Sequence, residues 1–391
     1  MNMSTESKSD LLSGDFFNLS LDEILTADDS DPGRLTLSSL VDFCASKSST
    51  DIHIKAGEPS RVRVAGKLVP AFVEDGDPII LTKDIFEAMR YTMGFTLGVN
   101  GNKVWRMGDK QVRVQYFSHI LGEHLTMRIQ PLFAPSLEQI LGAQNPLLQT
   151  LQNASGLVLV TGPIGSGKTT LAAALAQHWA SDAKHIFTLE DPIEYLLHSK
   201  TGLLTQVNAC LTDSKLNPEA TPFEEAITTA LRSDIDGIFF GEIRTAQTLI
   251  RALEFAAARE PVVATFHAGS IADALVRAVS MATRELGADT AKLSIAQALH
   301  SIIYTDLAFD KDDKPVSVAV SFPFREPKAK ELISKFEPLE LGRSIEMLLK
   351  SGSSQLGYIN REVAVNLAIA EGALPNLAKA ALPPELQMAD Y

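Results

Sequence analysis

The chain has 391 residues, 45% of them apolar, enough for two or three domains with sizeable cores. A net charge of −13 argues against a nucleic-acid groove as the main surface, because binding phosphate backbones needs clustered lysine and arginine. No segment reads as a signal peptide and no apolar run is long enough to span a bilayer, so the sequence predicts a cytoplasmic protein that meets the inner membrane only peripherally, through partners.

Residues 1–34 are rich in Asp and Ser and read as a flexible acidic tail. Within it, "FFNLSLDEIL" offers Ser20 and Glu23 as a capping box ahead of a short helix, which docks on a partner or folds back on the next domain. Over residues 35–130, "LSSLVDFCAS" predicts an amphipathic helix. "TDIHIKAG", "SRVRVAGKLVPAF", "QVRVQYFSHI" and "EHLTMRIQ" alternate apolar and polar residues, with Gly57 and Gly66 at turns, so they predict half-buried strands of a small α+β domain. Cys44 and Cys210 lie far apart without metal-like spacing and read as small buried hydrophobes in a reducing compartment.

Pro131, Pro135 and Pro146 punctuate residues 131–148, read as a linker around a short helix. Residues 149–326 then alternate strand and helix. "GLVLVTGPIGSGKTTLAAALAQHWA" is a buried strand, a glycine-rich turn and a helix. "KHIFTLED", "GIFFGEIR" and "PVVATFHAGS" are apolar strands separated by helical stretches such as "TPFEEAITTALRS". This pattern predicts an α/β domain whose parallel sheet is covered on both faces. Residues 327–391 read as helical, ending in a Pro- and Ala-rich tail.

Gly162, Pro163, Ile164, Gly165, Ser166, Gly167, Lys168 and Thr169 carry the full phosphate-loop spacing, and Thr170 follows. Glycines there let backbone N–H groups turn inward around phosphates, and the helix N-terminus adds its positive end. Lys168 is placed to reach the outer phosphates, and the Thr169 hydroxyl to ligate magnesium. A nucleoside triphosphate, ATP, with Mg2+ is therefore the expected ligand.

Two acidic strand ends follow. "TLEDPIEY" gathers Glu190, Asp191 and Glu194 where an open α/β sheet places its ligands, although a solvated strand end is the rival reading. "DGIFFGEIRT" has the outline of a magnesium-holding strand, yet its apolar run ends in Gly241 and only Glu242 carries a carboxylate.

In this order, "STDIHIKAGEPSRVRVAGKL", the phosphate loop, "TLEDPIEY", "ALRSDIDGIFFGEIR" and "VVATFHAGS" resemble the hexameric traffic ATPases of type II and type IV secretion and type IV pili. The resemblance covers roughly residues 40–370 and runs to the branch of PilT, DotB and TraJ. It implies a PAS-like N-terminal domain and a RecA-like ATPase domain with a helical C-terminal region. It also implies that Gly241-Glu242 is a family form, that Glu190 positions or activates water, and that Glu242 supports the magnesium shell and the nucleophile. His267 matches the histidine that senses the γ-phosphate or couples hydrolysis to movement, though a lone histidine after an apolar strand is more often structural. Arg113 and Arg128 match arginines offered to a neighbouring subunit's nucleotide, or else lie on a solvated sheet face. The implied partners are five further copies of the chain and the inner-membrane and cytoplasmic parts of a secretion, conjugation or pilus apparatus, with no direct nucleic acid.

Departures from the family pattern stand at Thr245 for Asp, Pro261 where Gly-His is common, Ala268 for Thr, and Leu121 where retraction ATPases often carry Arg. "KAKELISKFE" does not match the C-terminal retraction motif, which favours a secretion or conjugation relative of the type IVB kind. The resulting expectation is a hexameric ATP-driven motor; the alternative is a scaffold that binds nucleotide and barely hydrolyses it. A nucleic-acid translocase is disfavoured by the acid excess.

Overall fold

The computed structural model describes most of residues 41–350; outside it lie 1–40, 209–221, 310–314 and 351–391, with the short stretches 42–43, 45–48, 65–66, 72, 75–76, 79, 81–82, 108–109, 121, 143–144, 259 and 325–326. The acidic tail with Ser20 and Glu23, Gly66, Leu121, Cys210 and the C-terminal tail therefore fall outside the described residues. Of the expected helix "LSSLVDFCAS", Val41 and Cys44 are described as helical and buried. Burial pushes the Cys44 thiol up to about 12, so it stays protonated and packs as a hydrophobe. The described chain forms two compact units divided between Phe133 and Ala134.

In the first unit, period-two alternation builds an antiparallel sheet. Its members are β1 (Ser49–Lys55), β2 (Arg61–Val64), β3 (Lys67–Pro70), β6 (Gly101–Met107), β7 (Lys110–His119) and β8 (Gly122–Pro131), in the order β3-β2-β1-β8-β7-β6. A small hairpin, β4 (Val73–Glu74) and β5 (Asp77–Pro78), and helix α1 (Lys83–Thr92) complete the unit. Ile52, Ile54, Val112, Val114, Leu125 and Met127 bury one sheet face around Phe86. The alternate residues carry charge. Asp51 stands opposite Arg63 on one side and Arg128 on the other, and Arg128 is in turn opposite Arg113.

The second unit opens with α2 (Leu137–Leu141) and α3 (Pro146–Gln152). Ser136 and Gln139 form a reciprocal capping box on α2, and Asn145 caps α3, whose first residue is proline. The main sheet follows: β9 (Gly156–Thr161), β10 (His185–Glu190), β11 (Leu203–Asn208), β12 (Gly237–Phe240), β13 (Pro261–Phe266), β14 (Leu299–Phe309) and β15 (Pro315–Pro323). Its order is β11-β10-β12-β13-β9-β14-β15, parallel throughout except for the antiparallel edge strand β15.

Helices α4 (Lys168–Ala180), α5 (Pro222–Leu231), α6 (Ala246–Ala257), α7 (Ile271–Leu286), α8 (Ala288–Ala298), α9 (Pro327–Lys335) and α10 (Pro338–Lys350) complete the unit. Strand alternation divides its core in two. Leu157, Leu159, Phe187, Phe240 and Val262 face the layer that contains α6 to α10. Val158, Val160, Ile186, Phe239 and Val263 face α2, α3 and α4, where Trp179 is buried and donates from Nε1 to the Leu151 carbonyl at 3.0 Å. The expected α/β class, a parallel sheet with both faces covered after an antiparallel α+β unit, is the fold observed. Among the described residues no helix is long and apolar enough to cross a membrane.

Candidate nucleotide and hydrolysis site

The C-terminal ends of β9, β13, β12 and β10 are consecutive neighbours in the sheet, so whatever follows each strand is delivered to one edge. The phosphate loop follows β9, His267 follows β13, Glu242 follows β12 after Gly241, and Glu190 closes β10. The topology thus brings together the residues that the sequence scatters over about a hundred positions.

The loop needs its glycines for different reasons. Gly162 has φ +145°, and a Cβ there would stand 2.2 Å from the Thr305 carbonyl oxygen and 2.7 Å from Ser166 Oγ. Gly167 has φ +86° as the N-cap of α4, and no side chain caps that helix, so its first-turn N–H groups face the loop. The loop is moored to the neighbouring strand: the Ser166 and Thr305 hydroxyls are 2.8 Å apart, and Thr305 donates to the Thr161 carbonyl at 3.2 Å. Lys168 donates to the carbonyls of Gly162 and Pro163 at 3.0 and 2.6 Å. Burial lowers the pKa of its ammonium, while the charges of Glu242 and Glu194 pull the other way. Both carboxylates therefore lie within electrostatic reach of the loop lysine.

Glu190 is the buried acid, 2% exposed. Its Oε1 accepts from the Thr188 hydroxyl at 2.7 Å and from Gln206 Nε2 at 3.2 Å. Desolvation pushes its carboxyl up to about 7, against the opposing effect of these hydrogen bonds and of the Glu194 backbone; the Glu194 charge adds to the rise. Glu242 is more open. Arg244 donates to its Oε2 from Nε at 2.7 Å and from Nη2 at 2.6 Å, while Arg244 Nη1 lies 3.9 Å from Asp191 Oδ2. One guanidinium thus spans the two acidic strand ends. His267 is exposed, and its carbonyl accepts from Arg277. Ile164 stands exposed on the loop, and Thr169 and Thr170 are half-buried in the first turn of α4. The Thr170 hydroxyl lies 2.8 Å from Tyr195 Oη.

Arg113 and Arg128 belong to the other unit. They face each other directly across β7 and β8, with Arg128 Nε bound to Asp51 Oδ1 at 2.8 Å. The sequence reading did not single out Gln206, Thr188, Thr305 or Arg244. Two of them carry a local signal: Thr188 stands two residues before an acid on a strand and so on the same face, and Arg244 stands two residues after Glu242.

The family model described as "Type II/IV secretion system protein" matches residues 100–314. The chain belongs to this family. The resemblance drawn from the ordered motifs is thereby shown: this is a traffic ATPase of the type II and type IV secretion superfamily. It is 31% identical to the type IV pilus retractation ATPase PilT of Pseudomonas aeruginosa over 282 residues, 69% of this chain and 77% of that protein. It is 28% identical over 342 residues to the uncharacterized protein YggR of Escherichia coli strain K12, covering 87% of this chain and all of that protein. The X-ray structure of the Legionella pneumophila ATPase DotB shares the fold, with a TM-score of 0.68 at 20% identity over 88% of this chain and 98% of that one.

Against that background the departures acquire local reasons. Thr245 is the N-cap of α6, its hydroxyl accepting from Thr248 N–H at 3.2 Å, and Asp is as good a cap. We expect Thr245→Asp to leave thermal stability and turnover within about twofold of the parent, and Thr245→Ala to lose about 1 kcal/mol, read by denaturant melts. Pro261 begins β13, where the N–H it lacks is least missed in a strand. Ala268 is buried, and its carbonyl accepts from the Thr161 hydroxyl at 3.3 Å.

Proposed function

We propose that this traffic ATPase hydrolyses ATP as a hexameric motor at the cytoplasmic base of a type IV secretion or conjugation apparatus, of the type IVB kind, or of a type IV pilus. The observation that carries the reading is the convergence of the loop lysine and the carboxylates Glu190, Glu194 and Glu242 on one sheet edge. The names of its relatives, an ATPase that retracts pili and an ATPase of known structure, support the same reading.

In this proposal residues Gly162 to Thr170 cradle the phosphates, with Lys168 on the outer ones. The Thr169 hydroxyl and the Glu242 carboxylate are hard oxygen donors of the kind Mg2+ takes, and would hold it. When bound, Mg2+ neutralises phosphate charge. Glu190 accepts the proton of the attacking water, its buried carboxylate being poised near neutrality for that work. Arg244 holds the Glu242 carboxylate in place. His267, just after the strand that lies between those leading to the loop and to Glu242, reports the state of the γ-phosphate to α7, whose Arg277 binds its carbonyl. Arg113 and Arg128 of a neighbouring copy supply charge to the same phosphates. The two arginines stand directly opposite one another on the sheet, so one copy would present both together.

The measurement is magnesium-dependent phosphate release from the assembled protein against Lys168→Ala. Turnover should fall at least ~100-fold in the variant, since it removes a group that binds the transferred phosphoryl charge. Native mass with and without ATP should show the hexamer. Equal background turnover in both proteins would leave the non-hydrolysing scaffold as the better reading.

A further inference from the structure

Gln206 makes three hydrogen bonds with a single amide. Its Nε2 donates to Glu190 Oε1 at 3.2 Å and to the Tyr195 carbonyl at 2.9 Å, and its Oε1 accepts from Leu197 N–H at 2.9 Å. Both amide hydrogens and the oxygen are therefore engaged. The partners lie on different segments. Glu190 closes β10, Tyr195 and Leu197 belong to the turn after it, and Gln206 sits on β11, paired in register two rows from the end of β10. Tyr195 is buried, and its hydroxyl lies 2.8 Å from the Thr170 hydroxyl in the first turn of the phosphate-loop helix.

We propose that Gln206 is a positioning residue for hydrolysis: its amide fixes the Glu190 carboxylate against β11 and ties that carboxylate, through Tyr195, to Thr170 at the head of the phosphate-loop helix. The inference rests on the reading of Glu190 as the group that activates water. A carboxylate that takes a proton must keep one oxygen directed at the water while the other is held. Here Thr188 and Gln206 both donate to the same oxygen, Oε1, and the Glu194 backbone N–H also binds the carboxylate, so its orientation is set by three donors from three positions of the chain. Thr188 comes from the same strand and holds only the local rotamer. Gln206 comes from the neighbouring strand and also grips the turn between Glu190 and Tyr195. A shift of the nucleotide-bound helix at Thr170 would therefore be felt at Glu190 through the Tyr195 side chain and the hydrogen bonds at either end of that residue.

The amide also steadies the ionised acid, because a hydrogen bond to a carboxylate favours its charged form. Losing it should move the titration of Glu190 to higher pH, which a purely structural role would not do. Gln206→Met removes all three amide hydrogen bonds at nearly constant length, and Gln206→Glu keeps an acceptor for Leu197 N–H while losing both donor contacts and adding a negative charge beside Glu190. Each is assayed in the full-length assembled protein for kcat/KM against pH at saturating magnesium, for binding of a fluorescent ATP analogue, and for melting temperature against pH. In Gln206→Met the acid limb should move up by about 1 pH unit, the worth of one hydrogen bond to a charged group, and in Gln206→Glu further, because a like charge is added. Turnover at pH 7 should then fall about fivefold and recover by pH 9, with analogue affinity within about twofold. The pH dependence of melting should shift in the same direction.

A loss of equal size at every pH, or a limb that does not move, overturns the proposal. Glu190→Gln separates the two levels of the argument. If that variant keeps wild-type turnover, the water-activating reading fails, and the catalytic role of Gln206 falls with it. If it is inactive while the Gln206 variants keep the wild-type limb, only the Gln206 proposal falls.

Discussion

Glu190→Gln is expected to lose at least ~100-fold in ATP turnover, the usual worth of a positioned general base, while binding nucleotide as well as the parent. The same substitution should make the protein more stable at alkaline pH, and the two effects share one cause. Burial raises the folded-state pKa of Glu190 from 4.5 to about 7, so the folded chain prefers the protonated acid. Its contribution to stability is complete below about pH 4.5 and is lost as pH rises through about 7, where a charge must be held in a desolvated place. A shift of this size corresponds to about 3 kcal/mol at most. Glutamine keeps an acceptor for Thr188 and Gln206 and never ionises. The melting temperatures of variant and parent should therefore nearly coincide at pH 5 and diverge by about 5 °C at pH 8, the variant being higher. Differential scanning calorimetry at the two pH values, beside the turnover assay, checks both. A variant less stable at pH 8 would mean that the ionised carboxylate is held by contacts stronger than its burial, contrary to this account. A dead but stabilised enzyme is the signature of an acid kept for its chemistry at the expense of the fold.

Some parts of this site are written locally in the chain, and others exist only once the sheet has formed. The phosphate loop is visible because its geometry demands fixed residue types at fixed spacing, and Gly162, Gly167 and Lys168 have no substitutes there. The central strands are visible because burial on both faces leaves unbroken apolar runs such as that of Ile238 to Phe240. β11 is not, since it is a partly exposed edge strand, and "LLTQVN" carries neither a clean alternation nor an apolar run. Gln206, which depends on that strand, was hidden with it. Thr305 acts only through partners that the sheet supplies, so no spacing could mark it, whereas Arg244 stands two residues from its partner Glu242. Thr245 is a different case. Set beside relatives, it reads as a lost acid; set before "AQTLIRALEFAA", it reads as an N-cap, and the hydrogen bond to Thr248 N–H selects the second reading.

Gly241→Asp, which would recreate the Asp-Glu pair of other phosphate-loop enzymes, is expected to inactivate this one. The glycine is not there for a left-handed backbone. It is there because β12 ends hard against β10. A Cβ at Gly241 would lie 3.0 Å from Glu190 Cα, 3.1 Å from the Leu189 carbonyl oxygen and 3.3 Å from Glu190 Cγ. Two of those three neighbours belong to Glu190 itself, and the strand cannot step aside. Gly241 N–H donates to Leu189 O at 2.7 Å, Ile243 N–H to Thr265 O at 2.9 Å, and the Thr265 hydroxyl to the Gly241 carbonyl. A single methyl should therefore displace Glu190 by tenths of an ångström. Gly241→Ala is expected to cost about 1–3 kcal/mol of stability, as overpacking does, and roughly tenfold in turnover through misplacement of the acid. Aspartate adds a second negative charge beside a carboxylate that burial has already pushed up to about 7, so the acid limb of kcat/KM should move higher still. Turnover at pH 7 should drop about 100-fold, and raising the pH should recover only the part lost to protonation. The alanine variant isolates the steric share, and the difference between the two isolates the charge. If Gly241→Asp turned over ATP like the parent, the tight approach of β12 to Glu190 would have no bearing on catalysis. In the chain as it stands, the room that an aspartate would need is taken by the acid two strands' worth of sequence earlier, and Glu242, one residue further along, is the first carboxylate on β12's exit that can be accommodated.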